Sequence, residues 1–117
     1  MNSKYHNSDF DAQEFERFRA LFKKFDAAYK KGTYSSIELS EDEYDFIIES
    51  YIEREDPVMA ATVSALAFEK YSYSPVLMVK YCDSLILDNK IEDAISLLDR
   101  YKETFTDYSE IYLLYNF

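Results

Sequence analysis

The residues best suited to chemistry form a row of carboxylates in the first half of the sequence. Residues 44–55 read YDFIIESYIERE, in which acids alternate with aromatic and aliphatic residues. Side chains three or four positions apart share one face of a helix, and four acids follow that spacing: Asp42, Asp45, Glu49 and Glu53. Such a row can coordinate a divalent cation, transfer protons or attract a basic partner, and its simplest role is to solvate a helix face.

The other reactive residue types do not complete an enzyme site. His6 is the only histidine, so neither a di-iron site with two Glu-x-x-His motifs nor a structural zinc site can form. A single glycine, Gly32, excludes the glycine-rich phosphate loops of nucleotide-binding proteins. The one cysteine, Cys82, occupies a tight helix-packing position, where we expect a buried, unreactive thiol. We therefore expect a protein without catalytic activity, bound metal or cofactor.

The elements that would position these residues are predicted to be helices only. The chain has 117 residues, which suggests one domain, and 48% of them are hydrophobic, which is enough for a core. One glycine and two prolines, Pro57 and Pro75, leave little room for hairpin turns. The composition therefore predicts an all-α fold, and the helix patterns below indicate about six helices.

The charge of the chain is strongly acidic and unevenly distributed. The formal net charge is −10, and after residue 35 eighteen Asp and Glu face six Lys and Arg. That imbalance repels nucleic acids and anionic membranes. It favours a protein or peptide partner with a basic segment, or it serves solubility alone.

Neither a membrane span nor a signal peptide is visible in the sequence. No apolar run approaches the roughly 18 residues that indicate a spanning helix. The first ten residues, MNSKYHNSDF, include no apolar segment of the kind that a signal peptide needs. Taken as the native N-terminus, this segment predicts a cytoplasmic protein.

A stripe of aromatic residues predicts the first helix over residues 9–31. Its members are spaced by three and four positions, which places them on one helix face: Phe15, Phe18, Phe22, Phe25 and Tyr29. We expect this stripe to be core rather than a surface that binds a groove elsewhere. Lys30, Lys31 and Gly32 supply a cationic last turn and a terminating glycine.

Start signals predict the remaining helices after a short polar link over residues 33–39. Ser40 and Glu43 have the spacing of a capping box, Asp56 precedes Pro57, and Ser74 precedes Pro75. The predicted helices cover residues 41–54, 57–71, 75–87 and 91–105, with a sixth beginning at Ser109.

The predicted helices repeat with a shift of 34 residues. Residues of similar type coincide when the sequence is moved by that amount. The matching positions are Tyr44 with Met78 and Tyr112, Ile47 with Tyr81 and Tyr115, Tyr51 with Leu85, Ala60 with Ala94, Val63 with Leu97, and Tyr71 with Phe105.

This pattern resembles the tetratricopeptide repeat, a helix–turn–helix unit of the same length. The family's small and large core positions fall on Met78, Tyr81, Cys82, Leu85, Ala94, Leu98 and Tyr101 in one unit, and on Tyr44, Ile47, Ile48, Tyr51, Ala60, Ser64 and Ala67 in the other. Ile48, Ser64 and Tyr101 depart from the family pattern. The sequence is also similar to divergent bacterial repeat proteins.

The resemblance implies a right-handed stack of antiparallel helix pairs. Residues 1–39 would form an N-terminal tail, a capping helix lying on the first pair, and a link. Residues 40–73 and 74–107 would be two repeats, and residues 108–117 the first helix of a truncated third. Because that last helix ends on LLYNF, we expect further repeats in a longer protein or a homodimer through this end.

The resemblance also implies a binding groove on the concave side of the stack. The positions that line it in the family fall here on Asp42, Asp45, Glu49, Ile52, Glu53, Val76, Val79, Asp83, Ile86 and Leu87. Such a groove would be acidic in the first repeat and apolar in the second, which suits a segment with a basic end and hydrophobic anchors. Alternatively, the apolar members are buried under a further repeat.

The expected function is therefore a non-catalytic protein–protein interaction or scaffolding module. One alternative is a purely structural N-terminal fragment of a longer repeat protein. Another is a small acidic regulator that binds a basic partner, for instance by mimicking the charge of a nucleic acid. A carboxylate–metal enzyme is the least favoured interpretation.

Overall fold

The computed structural model describes residues 12–104, and these are all-helical, as the composition predicts. They form five α-helices and one short 3₁₀ helix and contain no β-strand. The predicted sixth helix, which begins at Ser109, lies outside the described residues. The chain divides into two compact units, one ending at Leu39 and the next beginning at Ser40.

The first unit contains α1, Ala12–Lys31, whose aromatic stripe is largely buried. Phe18, Phe22 and Phe25 are buried, as the three-and-four spacing predicts. The helix ends at Gly32, whose φ of 78° lies in the left-handed region. The Gly32 and Thr33 amides donate hydrogen bonds back to α1 carbonyl oxygens at 3.0 and 2.9 Å, so the predicted terminating glycine is confirmed.

The link after α1, which was predicted to be a polar connection, contributes aromatic and apolar side chains to the first unit. A 3₁₀ helix, Tyr34–Ser36, brings the Tyr34 ring to 4.9 Å from the ring of Tyr29 and 6.4 Å from that of Phe25, centre to centre. Leu39 is buried at the end of the link. The link therefore extends the aromatic cluster of the first unit.

The second unit begins with two helices that are equivalent at a spacing of 34 residues. These are α2, Glu41–Glu53, and α4, Pro75–Leu87. Ser40 and Ser74 cap them, each accepting a hydrogen bond at 3.2 Å from the amide three residues on. Glu43 completes the predicted capping box at Ser40.

The ends of these two helices also repeat. Glu55 and Asn89, which are 34 positions apart, adopt positive φ angles of 57° and 63°. The amides of the residues that follow them bond back to carbonyl oxygens of α2 and α4 at 2.9 and 2.8 Å. The same turn therefore connects each of these helices to the next one.

The other two helices are α3, Pro57–Lys70, and α5, Ile91–Tyr101. Asp56 caps α3 by accepting a hydrogen bond from the Met59 amide at 3.2 Å, as predicted. The equivalent residue before α5 is Lys90, whose side chain makes no capping hydrogen bond. Helix α5 ends at Tyr101, which is earlier than the predicted residue 105, and a turn follows it to Thr104.

The core of the second unit lies between consecutive helices. Helix α3 packs against α2 and α4, α4 packs against α5, and α2 also contacts α4. Most family-like core positions are buried, namely Tyr44, Ile47, Ile48, Tyr51, Ala60, Ser64, Ala67, Met78, Cys82, Leu85, Ala94 and Leu98. Ser64, which departs from the family pattern, forms a buried hydrogen bond at 3.2 Å with Ser84 of α4. This bond satisfies two hydroxyl groups that would otherwise be costly to bury.

Candidate functional site

An ion-pair cluster connects the facing sides of α2 and α4. Lys80 extends from α4 toward two carboxylates of the predicted groove. Its Nζ lies 3.5 Å from Oδ1 of Asp45 and donates a hydrogen bond to Oε1 of Glu49. Part of the acidic row is therefore neutralised by the chain itself.

The electrostatics of this cluster keep Lys80 charged. Burial by itself lowers the pKa of Lys80, but the charge of Asp45 and the hydrogen bond to Glu49 outweigh it. The pKa therefore lies above its usual value, and the ammonium group persists at neutral pH. A cation held in this way connects the two helices that it bridges.

The position of Asp45 corrects the expected groove. Asp45 shares a helix face with the other acids, but only 3% of its surface is exposed, so it lies in the core rather than open to a partner. The spacing of the acids does not by itself reveal Lys80 as a member of the site. The signal was present, because a lysine within the apolar α4 sequence VLMVKYCDSLIL needs an acidic partner if that helix is packed.

Three carboxylates remain on the surface formed by α2 and α4. Asp42 and Glu53 are exposed near opposite ends of α2, whereas Asp83 on α4 is partly buried. Burial raises the pKa of Asp83, the charge of Lys80 lowers it and that of Glu49 raises it, with a net increase. Asp83 is thus an acid whose ionised form the fold disfavours.

The apolar members of the predicted groove are partly accessible. Val76 and Leu87, at the two ends of α4, are 52% and 55% exposed. Ile52, Val79 and Ile86 are half-buried. The structure thus presents exposed acids on α2 and exposed apolar side chains on α4, while Asp45 and Glu49 engage Lys80. We refer to the area formed by Asp42, Glu53, Asp83 and these apolar side chains as the α2–α4 surface.

Two further observations concern reactive groups and membranes. Over residues 12–104, no group of three or more His, Cys, Asp or Glu side chains lies close enough together to hold a metal ion. Among the helices in that part of the chain, none is both long and apolar enough to cross a membrane.

Cys82 is buried between the helices, as its position predicts. Its Sγ lies 3.5 Å from Sδ of Met78. Burial, with a smaller contribution from the charge of Asp83, raises the pKa of the thiol to about 12. The thiolate, which is the nucleophilic form, is therefore scarce at neutral pH.

This environment predicts slow chemical modification of Cys82. In the folded protein at pH 8, we expect iodoacetamide to label it at least about 100-fold more slowly than a free thiol, because both exposure and ionisation are lost. Mass spectrometry over time measures the rate, and the same protein in guanidinium chloride is the control. Equal labelling rates in the two conditions would contradict the buried position.

No protein-family model, curated protein or solved structure matches this chain.

Proposed function

We propose that this chain is a non-catalytic protein-interaction module of the tetratricopeptide-like kind, which binds a peptide segment across the α2–α4 surface. One observation carries the proposal. The first helices of two successive helix pairs contact each other and are joined through Lys80, with exposed acids on α2 and exposed apolar side chains on α4. Such a combination suits a segment that has both basic and hydrophobic residues.

The recurrence of local geometry supports the family part of the proposal. Equivalent caps at Ser40 and Ser74 and equivalent left-handed residues at Glu55 and Asn89 recur at 34 positions. That is the repeat length of tetratricopeptide units, which stack pair upon pair. A right-handed stack and further repeats in a longer protein belong to the same proposal.

The partner's chemistry follows from the groups that the surface leaves available. Asp42 and Glu53 can accept hydrogen bonds from lysine or arginine side chains, and Val76 and Leu87 can contact apolar ones. Asp83 adds a partly buried carboxyl group whose pKa is raised, and perturbed pKa values are common at binding sites. Asp45 and Glu49 form ion pairs with Lys80, so the contact with the partner is made by the exposed residues.

A charge-reversal experiment tests this surface. The probe is a capped synthetic peptide of alternating lysine and leucine, and its binding is measured by calorimetry at two salt concentrations. We expect the Asp42→Lys/Glu53→Lys variant to bind at least about tenfold more weakly, with the loss greatest at low salt. The matched control, Glu92→Lys/Glu103→Lys, reverses the charge of two exposed acids elsewhere and should bind nearly as well as the unchanged protein.

The outcomes separate the proposed function from its alternatives. Equal weakening in both variants would mean that net charge alone attracts the peptide, as expected of a purely acidic regulator. No binding by the unchanged protein would favour a purely structural role for this part of a longer chain. Either result would overturn the α2–α4 surface as the binding site.

A further inference from the structure

A cleft lies on a different face of α4, between α3 and α5. Its volume is about 340 Å³, and its walls include the rings of Phe68, Tyr81 and Tyr101. Leu85 also lines it, from the same face of α4 as Tyr81. Asp83 lies two residues from each of these and therefore points away from the cleft. The cleft is thus distinct from the α2–α4 surface.

The aromatic walls form a connected set. The rings of Phe68 and Tyr101 meet edge to face with centres 5.1 Å apart, and the rings of Phe68 and Tyr81 are tilted, with centres 6.2 Å apart. Each helix around the cleft contributes one of these three rings. Aromatic faces attract cations through their quadrupole, and guanidinium groups in particular stack on them.

The charged groups around the cleft favour a cationic ligand. Glu69 lies in the last turn of α3 and Asp93 in the first turn of α5, and within residues 12–104 neither forms an ion pair. Arg100 also lines the cleft, with its guanidinium carbon 6.0 Å from the centre of the Tyr101 ring. One aromatic ring of the cleft, that of Tyr101, therefore lies near the guanidinium group of Arg100 in the same chain.

We infer that this cleft binds an arginine or lysine side chain of a protein partner. The apolar stem of that side chain lies against Phe68, Tyr81 and Leu85, and its charged end reaches Glu69 or Asp93. A volume of about 340 Å³ is at the lower end of ligand-binding sites, which suits one long side chain better than a cofactor. This site is independent of the α2–α4 surface.

An NMR titration of the full chain with a capped Gly-Arg-Gly peptide tests the inference. Amide shift changes should cluster at the end of α3 and along α5, and the same peptide with citrulline in place of arginine should produce much smaller changes. The Glu69→Gln/Asp93→Asn variant should bind about three- to tenfold more weakly. Glu92→Gln removes a neighbouring exposed charge from outside the cleft and should leave binding unchanged.

A variant that is expected to bind the peptide more tightly provides a second test. Arg100→Gln removes a competing cation from the rim, so it should strengthen binding of the arginine peptide by about two- to fivefold. Weaker binding in this variant would mean that Arg100 helps to bind the peptide rather than competing with it, and it would overturn the inference. Equal binding of the arginine and citrulline peptides would overturn it as well, because the charge would then have no role. None of these outcomes depends on Asp42 or Glu53, so the proposed function stands or fails separately.

Discussion

Replacing Lys80 with methionine should destabilise the second unit by about 2–4 kcal/mol, because removing one partner of a buried ion pair leaves the other uncompensated. The Lys80 side chain is 21% exposed and that of Asp45 only 4%. Methionine preserves much of the aliphatic stem but offers nothing to Asp45 or Glu49. Urea denaturation followed by circular dichroism measures the change.

The matched control is Lys90→Met. Lys90 is 57% exposed and lies 3.5 Å from Asp88, so its loss should change stability by less than about 0.5 kcal/mol. Combining Lys80→Met with Asp45→Asn should recover part of the loss, because the buried negative charge is removed as well. A Lys80→Met variant as stable as the control would show that the cluster does not hold α2 and α4 together.

The pH dependence of the same variant has a defined sign. The pKa of Lys80 in the folded protein lies above its ordinary value of 10.5. Its stabilising contribution is therefore fully present below about pH 10.5 and is lost as the pH rises through the folded-state pKa. The stability difference between the unchanged protein and Lys80→Met should accordingly shrink in strongly alkaline solution.

The local features of the fold could be predicted from the sequence because they depend on near neighbours. The capping box at Ser40, the proline at the start of α3 and the glycine after α1 each act over a few residues. The aromatic stripe of α1 and the buried face of α2 follow from helical periodicity. The ends of α2 and α3 were placed one residue too late, and that of α5 four residues too late, where no glycine or proline marks it.

The candidate site was less predictable because it depends on contacts between distant residues. Helical spacing showed that Asp45 shares a face with Asp42 and Glu49, but it cannot show how deeply each lies. That depth is set by the approach of α4, whose Lys80 lies 35 positions after Asp45. Periodicity therefore predicted a solvated acidic row where the structure has exposed acids around an internal ion pair.

The aromatic cleft illustrates a second limit. Phe68, Tyr81 and Tyr101 come from three helices, and no local pattern connects them. One signal was available, because Tyr101 is larger than the family pattern allows at its position. In the structure its ring packs edge to face on Phe68 of α3 and lines the cleft. The departure from the tetratricopeptide pattern at Tyr101 therefore coincides with a wall of the cleft.

Replacing Ala94 with leucine should destabilise the second unit by about 1–3 kcal/mol, because extra methylenes in a well-packed core force side chains and backbone to shift. Ala94 is completely buried in α5, which packs against α4. Ala60, 34 positions earlier in α3, is equally buried. If the two helix pairs are equivalent, Ala60→Leu should have a similar effect in denaturant unfolding.

Ala20→Leu provides the control for both substitutions, since it makes the same change at an exposed position of a helix and should shift stability by less than about 0.5 kcal/mol. A loss at Ala94 without one at Ala60 would mean that the two pairs share helix ends but differ in how closely their helices approach. No loss at either position would contradict the 34-residue register itself. That register places α2 and α4 as equivalent helices, so the same result would also remove the basis for a shared binding surface.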